Sequence, residues 1–238
     1  RLSRLKGGGL RRLLGTRSVL QLLISDVPGD DPAVIGSGLC LASDLPLPES
    51  LPAWLLSGLP ASACSPVPPS ETRLVARNAD ILDALAKAAA QAGYATHRSN
   101  VALCGEAWQT GVSCAQTLCD GAPGVYLWGG ETTVVLPAQP GRGGRNQHLA
   151  LAAAKRLAGR DDVLLLAVGT DGVDGNSMDA GALVDGDTVR RAGCAGFDSE
   201  QVRLSAGSGA FLAASGDLVR TGPTGTNVMD IVIGLKLT

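Results

Sequence analysis

Two apolar runs in this chain end in the same way. Residues 18–25, "SVLQLLIS", lead into "DVPGDDP", and residues 161–169, "DDVLLLAVG", lead into "TDGVDGNSMDAG". A continuous apolar run of strand length suits a strand covered on both faces, the usual situation in parallel sheets. In open α/β sheets, ligands collect beyond the carboxyl ends of such strands. Helical stretches separate the runs. "NADILDALAKAAAQAG" has Asn78 as an expected N-cap and Gly93 as a stop, and "EAWQTGVSCAQTLCDG" ends at Gly121. Further helices are expected at 149–159, 187–195 and 208–214. "TRLVA", "YATHR" and "IVIGLKL" read as strands, and "GVYLWGGETTVVLP" as two strands joined by a Gly-Gly turn. The alternation predicts α/β architecture with largely parallel sheets. A boundary is placed near residue 122, giving domains 1–121 and 122–238. Seven of the thirteen prolines fall in 43–70, which is expected to be an irregular excursion.

Composition narrows the function. A net charge of −2 gives no case for nucleic acid or an anionic membrane as partner. The six cysteines form no CxxC pair, and with only two histidines a zinc site is not expected. Reduced thiols point to a cytoplasmic protein. The 32 glycines cluster in short loops between apolar runs, as in enzymes with backbone-lined sites.

The loops carry the chemistry. Asp26, Asp30 and Asp31 follow the first run, and Asp171 and Asp174 the second. Oxygen-only carboxylate clusters suit a hard cation such as Mg²⁺, although single loop aspartates also serve to make turns. "GRGGRNQH" (141–148) supplies the opposite charge where a helix starts. Arg145 can grip a carboxylate or phosphate with two parallel hydrogen bonds, whereas Arg142, further out, is expected in solvent. Asn146 and Gln147 either orient a substrate or cap the helix. "TGPTGTN" (221–227), with Thr224, Thr226 and Asn227, reads as an anion cradle that lacks the Gly-Lys-Ser/Thr ending of a P-loop. Lys6, before a glycine triplet, is a third phosphate candidate. His97 and His148 have no partners at catalytic spacing, and His148 is expected to be exposed. No GxGxxG follows a strand and no GxSxG elbow is present.

Taken in order, "SRLKGG", "LLISDVPGDDPAVIGSG", "GGETTV", "GRGGRNQ", "AVGTDGVDG" and "TGPTGTNVMD" resemble the glycerate 2-kinase family. Its C-terminal portion is the MOFRL domain, and some members carry the label hydroxypyruvate reductase. The resemblance implies ATP- and Mg²⁺-dependent phosphorylation of D-glycerate to 2-phosphoglycerate. It also implies two α/β domains with the site in the cleft between them. Residues 1–121 would be the later part of a Rossmann-like domain and 122–238 the MOFRL domain, with a homodimer allowed. Arg145 becomes the anion clamp, and Asp171 and Asp174 hold Mg²⁺ or orient the attacking hydroxyl. Lys6, Asp26, Asp30, Asp31, Glu131, Asn146, Thr224, Thr226 and Asn227 become substrate or phosphate contacts.

Family members carry an upstream lysine and a glycine-serine loop that this chain lacks, so it is expected to be a portion of the enzyme. His148 stands where the family has Glu, Ala206-Gly207-Ser208 where it has Asn-Asp-Ser, and Leu39 where it has proline. Two alternatives remain: a nicotinamide-dependent hydroxypyruvate reductase, and a non-catalytic remnant that binds a small anion. Arg145→Ala is expected to leave the fold intact, because the residue is read as lying on an exposed loop.

Overall fold

The first apolar run pairs in parallel as expected, but it is not buried. In the computed structural model, α1 (Gly9–Leu14) precedes β1 (Leu20–Ile24), and a 3-10 turn (Ile35–Ser37) and α2 (Ala53–Ser57) lie between β1 and β2 (Glu71–Ala76). β1 and β2 run parallel, yet Leu20 and Leu22 are 52% and 62% exposed. This two-stranded ribbon has no element over the face they occupy among the described residues, 3–41, 50–58 and 67–237. Of the proline-rich excursion, α2 is a short helix rather than irregular chain, and 43–49 and 59–66 lie outside the described residues.

By compactness the chain divides into Arg1–Arg77 and Asn78–Thr238. The boundary expected near residue 122 therefore falls inside the second unit. That unit holds α3 (Asn78–Gln91), β3 (Thr96–Arg98), α4 (Ala107–Asp120), β4 (Gly124–Gly130), α5 (Arg145–Leu157), β5 (Val163–Gly169) and β6 (Gly181–Asp185). It continues with α6 (Thr188–Cys194), α7 (Ser199–Leu204), α8 (Ser208–Ser215), β7 (Leu218–Val219) and β8 (Asp230–Lys236). α4, assigned by sequence to the first domain, packs on α5 so closely that a Cβ at Gly111 would collide with the Leu149 carbonyl.

The six strands are ordered β3-β4-β8-β5-β6-β7. β3 and β4 are parallel, and β4 and β5 share their direction, as helical crossovers require. The expectation of largely parallel sheets needs correcting beyond that core. β8 is inserted between β4 and β5 antiparallel to both, and β6 and β7 follow antiparallel to their neighbours. A last strand entering from the opposite end of the sheet needs no crossover helix, so an apolar run alone does not reveal its direction.

Helices cover both faces. Leu82 of α3 packs on Leu127 and Ile231 on one side. On the other, α4, α5 and α8 close over Tyr126, Trp128, Leu165 and Val232. Leu149, Leu151 and Leu157 of α5 are at most 1% exposed, and each such burial contributes about 2 kcal/mol. Alanines 152–154 between them are small enough to sit inside the core.

The Gly-Gly pair is not a turn. Gly129 and Gly130 end β4 itself, where a Cβ would strike the Asn78 side chain at the first and the Leu103 backbone at the second. No second strand follows, although Thr133 bridges to Glu106. Asn78 is likewise not a cap: it begins α3, buried, and its amide donates to the carbonyls of Val228 at 2.8 Å and Asp230 at 3.0 Å.

Candidate active site

Asp230 opens β8 opposite Gly130 and Gly169, the last residues of β4 and β5. Its carboxylate therefore stands at the carboxyl ends of two parallel-running strands, where α/β sheets gather ligands. The residue is 2% exposed. Arg145, the first residue of α5, answers it with a two-pronged contact, Nε to Oδ2 at 2.6 Å and Nη2 to Oδ1 at 3.1 Å. The remaining arm, Nη1, meets Glu131 Oε1 at 2.7 Å, just past the end of β4. Arg145 is thus not a free clamp on an exposed loop, as the sequence suggests. It is half-buried and already holds two carboxylates of the protein. The partners differ: the Asp230 side chain is 3% exposed and that of Glu131 37%. A buried two-pronged pair fixes the guanidinium plane, whereas a half-exposed ion pair is worth about 0–1 kcal/mol and exchanges readily.

Asp174 does different work from that expected of a metal ligand. Its Oδ1 accepts from the backbone N–H of Asn146 at 3.0 Å and its Oδ2 from that of Gln147 at 2.8 Å, so both oxygens close the start of α5. An acceptor brought from another loop satisfies helix donors that have no partner within the helix. Gly144 and Gly175 allow this approach, since a Cβ at Gly144 would collide with the Asp174 carboxylate and one at Gly175 with the Gly143 carbonyl. Burial pushes the Asp174 carboxyl up to about 6, against the two backbone donors; nearby Asp230 raises it and Arg145 lowers it.

Asp171 remains the more open carboxylate of that loop. Among the described residues only its Oδ1 is engaged, by the Val173 N–H at 3.1 Å, and Asp171 and Asp230 both approach Gly169. The 221–227 loop packs on it: Thr224 N–H donates to the Asp171 carbonyl at 3.0 Å, and the Thr224 hydroxyl donates to the Thr170 carbonyl at 2.6 Å. Asn227 Oδ1 accepts from the Met229 N–H. Thr224 and Asn227 therefore shape the loop. Thr226 is exposed on it, and Gly222 and Gly225 hold positive φ.

Other expectations change too. His148 is 5% exposed, not solvent-facing, with Nδ1 3.0 Å from the Ser208 hydroxyl and its ring 5.2 Å from that of Trp108. Burial holds its pKa below the ordinary value; Glu106 opposes that shift and Arg203 adds to it. Arg142 is exposed, as expected, and its guanidinium also pairs with buried Asp179, which takes Arg220 at 2.6 Å as well. Asn146 is buried, with its side-chain amide turned to Asp174 at 3.4 Å. Lys6, Asp26, Asp30 and Asp31 belong to the first unit, where Asp31 Oδ1 accepts from the Ala33 N–H at 2.9 Å.

Asp230 is the residue sequence reading missed. It closes the "TGPTGTNVMD" motif and directly precedes an apolar strand, the same acid-beside-strand signal that drew attention to the two loops.

Beside Arg145 lies a cavity of about 540 Å³, bordered by Thr132, Val134, Leu136, Gly144, His148 and Asn176. A larger one, about 740 Å³, lies against β3, β4 and α4 and contains none of the expected site residues. Among the described residues no group of three or more His, Cys, Asp or Glu side chains could hold a metal, and no helix is long and apolar enough to cross a membrane.

Residues 124–230 match the MOFRL family, and residues 1–51 match a domain of unknown function (DUF4147). The chain is 40% identical, over 97% of its length, to an Agrobacterium vitis protein provisionally named hydroxypyruvate reductase, of which it spans 58%. It is 31% identical to the glycerate kinase of Macaca fascicularis, covering 96% of the chain and 75% of that relative. The crystal structure of a glycerate kinase from Thermotoga maritima superposes with a TM-score of 0.85 at 31% identity, covering 99% of this chain and 61% of that one.

Proposed function

We propose that this chain, which belongs to the glycerate kinase family, carries an ATP-dependent phosphorylation site for D-glycerate, with 2-phosphoglycerate as product. The observation that carries the reading is the Arg145 guanidinium, fixed by buried Asp230 and shared with half-exposed Glu131 at the carboxyl ends of β4 and β5. Phosphoryl transfer asks mostly for positioning and for neutralising spread-out negative charge. An incoming carboxylate or phosphoryl oxygen would displace Glu131 from Nη1 while Asp230 keeps the guanidinium plane fixed.

The donor set fits Mg²⁺ in one respect: that ion typically uses one or two protein carboxylates and keeps waters and phosphate oxygens for the rest. Asp171, with one oxygen uncommitted, is the residue that would hold it, and the ion would supply positive charge to the phosphates. Asp174, with both oxygens on α5, keeps the helix start in place beneath Arg145. Gly222 and Gly225 leave the backbone of the 221–227 loop open to phosphate oxygens. The five described cysteines are all free thiols, which suits a cytoplasmic setting.

The test is D-glycerate-dependent ADP formation by the chain and by Arg145→Lys, which keeps the charge but not the two-pronged geometry. Turnover that needs glycerate and falls at least tenfold in the variant is expected. ADP formation indifferent to glycerate or to the variant would defeat the reading, and NADH oxidation on adding hydroxypyruvate would favour the reductase name instead.

A further inference from the structure

Two residues that line the cavity beside α5, Thr132 and His148, each carry a polar group with no hydrogen-bond partner among the described residues. Thr132 is 3% exposed, and its hydroxyl is buried without a hydrogen-bond partner. A buried hydroxyl left unpaired costs free energy, so its retention in a residue that lines a cavity points to a ligand that pairs it. The second group is the far nitrogen of His148. Ser208 is fully buried, and among the described residues its hydroxyl bonds only to His148 Nδ1. In the tautomer in which Ser208 donates and Nδ1 accepts, the imidazole carries its proton on Nε2. That nitrogen has no hydrogen-bond partner among the described residues, and His148 lines the cavity.

Val134 and Leu136 form an apolar wall, and Arg145 adds positive charge at the same cavity. A volume of about 540 Å³ is within the range of small-molecule sites. The polar lining therefore offers donors on an apolar background. Buried His148, neutral at pH 7, acts there by hydrogen bonding rather than by charge.

We propose that this cavity binds a small oxyanion through the Nε2–H of His148 and the Thr132 hydroxyl, with Arg145 supplying the charge. The inference rests on the kinase reading for Arg145 as the anion's charge partner and for D-glycerate as a probe.

The experiment is calorimetric titration of the full chain with D-glycerate in one arm and inorganic phosphate in the other, without nucleotide. Thr132→Val keeps the shape and removes the hydroxyl. It should raise the thermal midpoint while weakening binding about tenfold, opposite signs that a purely structural threonine would not give. His148→Gln places an amide N–H near the Nε2 position and should bind within about threefold of the parent. His148→Asn can still accept from Ser208 but withdraws the ligand donor, and should weaken binding about tenfold. Loss in the glycerate arm assigns the pocket to the hydroxy acid; loss in the phosphate arm alone assigns it to a phosphoryl group. Both support the proposal. Binding of neither probe, variants that bind like the parent, or a lowered midpoint in Thr132→Val would overturn it. A chain that binds D-glycerate yet forms no ADP would defeat the kinase reading and leave the pocket standing.

Discussion

Asp26 and Asp31 of the first acidic loop are exposed and Asp30 is half-buried, whereas Asp174 and Asp179 of the second are each 2% exposed. The two loops have the same kind of sequence, carboxylates and glycines after an apolar strand. The difference lies in what reaches them. In the first loop the hydrogen bonds are all local, backbone turns plus the Asp31 carboxylate accepting from the Ala33 N–H. In the second, the start of α5 delivers two backbone N–H groups to Asp174, and Arg142 and Arg220 converge on Asp179. A carboxylate enters a protein interior only where donors are brought to it, and those donors come from parts of the chain remote in sequence.

The sharpest way to break that contrast is Arg145→Ala. It strands the Asp230 carboxylate in the interior, and with the arginine side chain one-third exposed the loss should be about 2–3 kcal/mol in urea unfolding. Adding Asp230→Asn should restore most of it by removing the stranded charge. Next, Asp174→Ala leaves two helix N–H groups without acceptors and should cost about 2 kcal/mol by the same measurement.

The acidity of Asp174 sharpens the contrast further. Its folded pKa of about 6 lies above the ordinary 3.8, so the folded state holds the proton more tightly than the unfolded chain. This contribution is fully present below the unfolded value and is lost as pH rises through about 6. Stability of the parent relative to Asp174→Asn should therefore rise on the order of 1–2 kcal/mol between pH 7 and pH 4.5. A flat difference would mean the carboxyl is not desolvated. Asp31→Ala, at the other end of the scale, should change stability by less than about 0.5 kcal/mol.

Much of the architecture was legible before any coordinates. α3, α4, α5 and β5 coincide closely with the runs read from sequence, because each is long and has its apolar residues at regular spacing. β6, α7 and β7 were not seen, being short pieces whose apolar residues also fit turns. The direction of β8 was unreadable for another reason: antiparallel insertion is a property of topology, and "IVIGLKL" would look the same either way. At the site, the arginine, the glycine loops and Asp171 and Asp174 could be read from sequence as candidates, but not who holds whom. Asp230 and the Ser208–His148 contact are pairings across 85 and 60 residues, and no local pattern announces them.

The exchangeable arm of Arg145 offers the most direct test of the whole account. If Glu131 occupies the position a ligand oxygen takes, Glu131→Gln should tighten D-glycerate binding, measured as a calorimetric Kd, by about two- to fivefold, the worth of a half-exposed ion pair. Unchanged or weaker binding in that variant would contradict it, because the guanidinium would then not be where the anion goes.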